Sequence, residues 1–229
     1  MLARLAAAFV IFLCGALQAG AESITLGQTV VSLTTPPGQC ALQRAQAGEA
    51  RLIKVIEDLL PKTNRLVAAF ADCRQLSDWR AGKRKLLDDT AQYQTVISAE
   101  SGPPEPDPGQ ALKQVCAGLR AEGDRAMSSL TPDLNARIEQ VMRAVKVSQT
   151  RFLGVIAEEA DACYAAVAQR FKTEAGTDKT QIALFAAAFP RGKLIFYYLY
   201  APYRSGDTVT AMLAKHKANV AALLAANKP

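Results

Sequence analysis

At 229 residues, half of them apolar and only 21% charged, the chain has the hydrophobic content of a globular protein, which excludes a disordered one. The formal charge of +6 is too small to argue for nucleic acid unless clustered, and favours anionic surfaces only weakly. Residues 1–21 read as a secretory signal: Arg4 precedes an apolar run from Leu5 to about Leu17, and Ala19-Gly20-Ala21 offers a small-x-small cleavage site before Glu22. A run of about 13 apolar residues is shorter than the roughly 20 needed to cross a bilayer. Cys14 lacks the small residues before it that a lipoprotein signal would show. The expectation is a periplasmic or secreted protein, with 22–229 forming one domain.

Ile24 to Leu33 predicts two short strands or one bent strand around Gly27, and Pro36-Pro37-Gly38 then forces a turn. Over 45–60, Leu52, Ile53, Ile56, Leu59 and Leu60 recur at helical spacing, and Pro61 ends the helix. Arg65 to Cys73 and Tyr93 to Ser98 read as strands. Four prolines between Ser101 and Gly109 make 101–109 a surface loop. A helical insert at about 110–145 follows, expected as two helices: Gln110–Leu119, and a second opened by Thr131 as N-cap with Pro132 at the first helical position.

Residues 150–175 fit helix by propensity, but Phe152–Ile156 and 162–172 read better as strands of a meander with 180–189 and 193–200. The last two are joined by Pro190-Arg191-Gly192. A final helix, capped by Ser205 or Asp207, presents Val209, Met212, Leu213, Val220, Leu223 and Leu224 on one face. These elements predict an α+β protein, an antiparallel sheet flanked by helices.

Gly192-Lys193 before an aromatic strand, then Tyr200-Ala201-Pro202-Tyr203, then Asn219-Val220-Ala221-Ala222 with Ala226-Asn227, resembles a group of exported proteobacterial proteins of unknown function. The likeness lies mainly within 150–229. It implies an α/β/α sandwich of the PsbP-like kind, and no activity, because function must be argued from a site.

Outside the signal the cysteines are Cys40, Cys73, Cys116 and Cys163, an even set with no C-x-x-C spacing. In an oxidising compartment this suggests two disulfides. Of three connectivities the expected one is Cys40–Cys73 with Cys116–Cys163, which closes loops of only about 35 to 50 residues. His216 is the sole histidine. Lying seven residues after Val209 and four before Val220, it falls on the buried stripe of its helix and reads as a core residue.

No nucleophile elbow, zinc-protease motif, phosphate loop or dinucleotide fingerprint is present. Glu158, Glu159 and Asp161 read as a solvated turn rather than a cation site. Trp79, Arg80, Lys83, Arg84 and Lys85 form the most suggestive surface feature, a candidate contact for an anionic surface. Phe196, Tyr198 and Tyr200 should share one face of a central strand, with Tyr197 and Leu199 on the other. The expected function is a non-catalytic binding or envelope-associated role. Its partner would be a protein or an anionic envelope component, with no cofactor, nucleic acid or transmembrane segment. The alternative is an enzyme with a site near His216 and the aromatic strand 194–203.

Overall fold

A computed structural model describes residues 22–141, 145–173, 176 and 178–228. The predicted signal, 1–21, lies outside the described residues. The chain opens with a hairpin, β1 (Glu22–Leu26) and β2 (Thr29–Leu33), so the two-strand reading holds. Gly27, at φ +60°, takes the first of two turn positions, where a II′ turn requires a positive φ. Next come β3 (Gln39–Ala41), α1 (Ala47–Leu59), β4 (Asn64–Asp72), α2 (Cys73–Arg80), β5 (Thr90–Val96) and the single turn α3 (Ile97–Glu100). The long helix α4 (Pro108–Val141) leads to β6 (Val145–Glu158), β7 (Cys163–Thr173) and β8 (Asp178–Ala188). A tight turn at Pro190–Gly192 precedes β9 (Ile195–Pro202) and α5 (Asp207–Ala225).

The main sheet has seven strands in the order β3-β4-β5-β9-β8-β7-β6, every neighbouring pair antiparallel. It is an α+β fold with helices on both faces. β5 and β9 come from opposite sides of the proline-rich segment and pair along Thr90–Gln94, so 101–109 is a loop within one sheet-spanning unit. One face carries α5 and the β1–β2 hairpin over a core that includes Leu26, Leu33, Phe70, Tyr93, Leu184, Tyr197 and Leu223. The other carries α1 and α2 over β4, and α4 over β6–β8.

The helical insert departs from expectation. It is one 34-residue helix with Pro132 inside it, and Thr131 does not cap: its hydroxyl donates to the Met127 carbonyl one turn back, at 2.7 Å. An interior proline costs about 3 kcal/mol, so tertiary contacts must hold the helix together. Beyond Pro132, Ile138 is buried, and the Arg137 guanidinium donates to the Leu60 carbonyl left open at the end of α1. Before it, Gly123 lets α4 press on β6, since a Cβ there would lie 2.4 Å from the Phe152 ring. Of the expected insert, 142–144 lie outside the described residues, and residue 145, its expected end, starts β6 instead.

α5 begins after Gly206. Neither Ser205 nor Asp207 caps it; the Thr208 hydroxyl instead accepts from the Arg204 and Ser205 amides at 3.0 and 3.1 Å. β3 and α2 had no clear signature, β3 because three residues are too few for periodicity.

Four of the motif residues of the C-terminal third, Gly192, Lys193, Asn219 and Asn227, have structural work. Gly192, at φ +74°, sits where a Cβ would lie 2.8 Å from Pro104, and its carbonyl accepts from the Glu105 amide at 2.7 Å. Lys193 is buried and donates to the Glu100 and Gly102 carbonyls, fastening the proline-rich loop to the sheet. Asn219 donates to the Tyr197 hydroxyl at 2.9 Å. Asn227 pairs with both backbone groups of Ser32, accepting from its N–H at 2.9 Å and donating to its C=O at 2.7 Å. It thereby ties the end of α5 to β2 as a strand would. Asn227→Ala should leave those two groups without partners and cost about 1–3 kcal/mol in urea unfolding. An unchanged midpoint would show that the clamp contributes nothing.

Candidate functional site

The tryptophan-and-cation segment begins on α2. Asp72 caps this helix, its carboxylate accepting from the Arg74 and Gln75 amides at 3.1 and 3.0 Å. Gly82, at φ +70°, turns the chain after it. Trp79 packs inward on α1, against Gly48, where an added Cβ would approach the indole to 3.1 Å. It thus joins the small core of Ile53, Leu66 and Leu76 rather than facing solvent squarely.

Arg80 donates through Nε to Glu49 at 2.8 Å, and Glu49 is 1% exposed. Burial works against the Glu49 charge, but hydrogen bonds from Arg80 and from the Gln43 amide outweigh it and hold the carboxyl below its ordinary range. Arg84 pairs with Asp88 at 3.0 Å. Of the four cations in this segment, Lys83 and Lys85 are exposed and form no ion pair among the described residues. Two cations near an anionic surface are worth about 2 kcal/mol, a weak and salt-sensitive hold.

His216 is wholly buried. One ring nitrogen, Nε2, lies 3.2 Å from the Leu184 carbonyl, which requires the N–H to sit there. The ring stands edge-on to Tyr164 and Tyr197, with centroids 5.6 and 4.7 Å away. Burial pushes its pKa down to about 3, so it is neutral in the folded protein at any ordinary pH. Phe196, Tyr198 and Tyr200 project from the opposite side of β9. Tyr198 stacks on Phe185 at 5.5 Å and on Tyr200 at 6.1 Å, in a cluster with Leu119 and Met127 of α4. Burial raises the Tyr198 hydroxyl to about 12 and the Tyr200 hydroxyl further. The histidine and this aromatic wall therefore lie on opposite faces of the sheet and do not converge on one site.

The three carboxylates also separate. Glu158 binds Arg120 and Glu159 binds Lys217, at 2.5 and 2.7 Å, around the β6–β7 turn. No group of three or more His, Cys, Asp or Glu residues suited to a metal occurs among the described residues. No helix among them is long and apolar enough to cross a membrane.

The cysteines form Cys40–Cys73 and Cys116–Cys163, with Cα separations of 5.0 and 5.7 Å, as nearest-neighbour pairing predicts. Cys40–Cys73 joins β3 to the start of α2 at the sheet edge and is partly exposed. Cys116–Cys163 pins α4 to β7, both cysteines fully buried. Beside β3, sequence reasoning missed a cleft of about 290 Å³ floored by Leu66–Ala69 of β4 and walled by Ile53 and Glu22. No residue pattern announces it, because it arises where β3 stops short.

The fold and these sites define a disulfide-bonded α+β sheet protein. No protein-family model matches the chain, and no curated protein matches it. Among solved structures, the Ran-binding protein Mog1p of Saccharomyces cerevisiae matches at 10% identity and a TM-score of 0.33, over 92% of this chain and 93% of that one. A point mutant of Mog1 matches at the same identity and TM-score, over 91% and 93%. Likeness at this level carries no argument about function.

Proposed function

We propose that the chain is an exported protein of the periplasm or extracellular space, which binds a protein partner or an envelope component without catalysing a reaction. In this reading it belongs with the exported proteobacterial proteins it resembles. The observation that carries the proposal is the pair of disulfides: all four cysteines outside 1–21 are oxidised and none is left free. Such bonds persist in oxidising compartments and are rare in the cytosol.

The environment of His216 supports a binding role over the alternative enzyme. A general base must reach the proton it takes, whereas this ring is enclosed by Tyr164, Tyr197 and Leu184. Between the two partner classes, protein is favoured over an anionic surface, because Arg80 and Arg84 are already neutralised and Trp79 is packed inward.

The test is to express the full chain in a Gram-negative host, fractionate the cells and titrate thiols in denaturant. The expected result is a periplasmic protein starting at Glu22 with no reactive thiol. A cytosolic protein with four free thiols would overturn the proposal. Crosslinking in the native envelope then identifies what is attached, and vesicle binding at low salt through Lys83 and Lys85 would favour the anionic component instead.

A further inference from the structure

We propose that the uncovered face of β6 and β7, on the α5 side of the sheet, docks an acidic segment of a partner protein through its side chains. This rests on the binding role above and names the surface and the chemistry of the partner. α5 packs on β8 and β9. Tyr164 and Ala166 of β7 are buried in the core beneath it, but from Ala168 onward that face of β7 opens to solvent. A cleft of about 270 Å³ lies there, lined by Gln149, Arg151 and Leu153 of β6, Ala168 and Arg170 of β7, and Thr180 of β8. The register brings them together: Gln149 pairs with Arg170, Arg151 with Ala168, and Arg170 with Thr180.

These residues set the chemistry. Arg151 is exposed and forms no ion pair among the described residues. Arg170 is steadied by Asp178 at 2.8 Å and keeps other guanidinium donors for a ligand. Lys172, two positions further along β7, is exposed, as is its register partner Lys146. Over 146–153, 168–172 and 178–182 the sole acidic residue is Asp178, so the surface is short of negative charge. Leu153 is 41% exposed, and Tyr203, whose amide donates to the Thr180 carbonyl at 2.8 Å, is 47% exposed. Arginine and tyrosine around an apolar side chain have the make-up of a protein contact.

The spacing narrows the partner. Arg151 faces Ala168, and Arg170 is the next residue of β7 on that side, so the two guanidinium groups spring from diagonal neighbours about 7–8 Å apart. Carboxylates two residues apart on an extended chain stand about 7 Å apart, and each can be held by a guanidinium fork. The segment is therefore acid-x-acid, with an apolar residue beside it for Leu153. Strand addition is not the mode. β6 shifts register between Val147 and Gln149, Phe152 and Gly154, and Val155 and Ala157, so its edge offers no continuous ladder. A second copy docked by two-fold symmetry would set these arginines against their own equivalents, which like charge opposes.

The probe is a phage-displayed decapeptide library panned at low salt on the mature, disulfide-bonded protein, followed by synthesis of the enriched peptides. Enriched peptides should carry two acidic residues at i and i+2 next to an apolar one. They should move the backbone amide resonances of 149–153 and 168–170, and their affinity should fall as salt is raised. Arg151 is exposed, so Arg151→Glu should leave the fold intact and weaken these peptides by about ten-fold or more. Arg170→Gln should weaken them too, whereas Lys83→Glu, just beyond α2, should leave them unchanged. Lack of enrichment, enriched peptides without acidic residues, resonance changes elsewhere, or equal binding by Arg151→Glu would overturn the proposal. So would binding to vesicles of phosphatidylcholine and phosphatidylglycerol in equal parts that Arg151→Glu abolishes, with no peptide bound, since the face would then serve a membrane. A dimer in sedimentation that Arg151→Glu dissociates would overturn it in favour of a second copy. The resonance map of the unmodified protein decides the matter even if a variant misfolds. Failure here with export and disulfides intact removes only this docking face, whereas cytosolic protein with free thiols removes the binding role itself.

Discussion

Between pH 6.5 and pH 3 the protein should lose about 1.4 kcal/mol of stability per pH unit through His216 alone. The folded ring is held neutral by burial, with its pKa lowered from 6.5 to about 3. In the unfolded chain the same imidazole takes up a proton below about 6.5. The unfolded state then binds one more proton than the folded state, so stability falls as pH falls. The contribution is complete above pH 6.5 and gone near pH 3, a total on the order of 4 to 5 kcal/mol.

The ring is fully enclosed, so solvent screening does not reduce this figure. Glu49, whose carboxyl is held below its ordinary range by Arg80 and Gln43, adds a loss at the acid end of the same window. The histidine is isolated by comparing urea unfolding of the wild type with His216→Gln, which can still donate to Leu184 but does not titrate. The variant should be less stable at pH 8, having lost its edge-on contacts with two tyrosines, yet its stability should fall less steeply with acid. Parallel pH profiles, or an imidazole resonance titrating near 6.5 in the folded protein, would sink the idea.

His216 also shows what kind of information the sequence carried. Its spacing from Val209 and Val220 placed it on the buried stripe of α5, and that is where it lies, because a helix sorts its faces by period and little else. The strands 178–188 and 195–202 were legible from their own residues, being joined by Pro190-Arg191-Gly192. The strand 163–173 was not, because its alanine-rich sequence fits a helical face as well and only a meander with those two favoured strand. α4 was not legible. Thr131-Pro132 is a sound local start signal, but a proline can be overridden by what it cannot report, namely Arg137 reaching α1 and Gly123 receiving Phe152 from a strand about thirty residues on.

The sites divide in the same way. Cysteine parity and loop length pointed to both disulfides, since chain entropy is a property of sequence separation. Trp79, Arg80, Lys83, Arg84 and Lys85 looked like one surface feature only because the acidic partners of Arg80 and Arg84, Glu49 and Asp88, lie outside the segment. The β4 cleft is defined by where β3 ends, which no side chain encodes.

The two disulfides should behave differently towards reductant, and the buried one should matter more. Cys40 and Cys73 are partly exposed at the edge of the sheet, whereas Cys116 and Cys163 have no accessible surface. Thiol–disulfide exchange needs a thiolate to reach a sulfur atom. Mild reduction of the native protein should therefore open Cys40–Cys73 first, while Cys116–Cys163 opens only when α4 lifts from β7. Alkylation after a short reduction, followed by peptide mapping, should label Cys40 and Cys73 and leave the other two unmodified.

Cys116–Cys163 closes the longer loop, a separation of 47 residues, for which the chain-entropy model gives about 4 kcal/mol. It also anchors the N-terminal part of a helix that carries an interior proline, so its loss should reach Pro132 and the α1 contact beyond it. The double variant Cys116→Ala with Cys163→Ala should thus lose about 2–5 kcal/mol in urea unfolding. Its amide protection should drop along the whole of α4, and a loss confined to the residues around position 116 would show that the two halves of the helix are held independently. Removing Cys40 and Cys73 together should weaken only the sheet edge, β3 and α2. Equal labelling of all four cysteines under mild reduction would mean that α4 opens readily, and that the disulfide guards a mobile helix rather than a fixed layer of the fold.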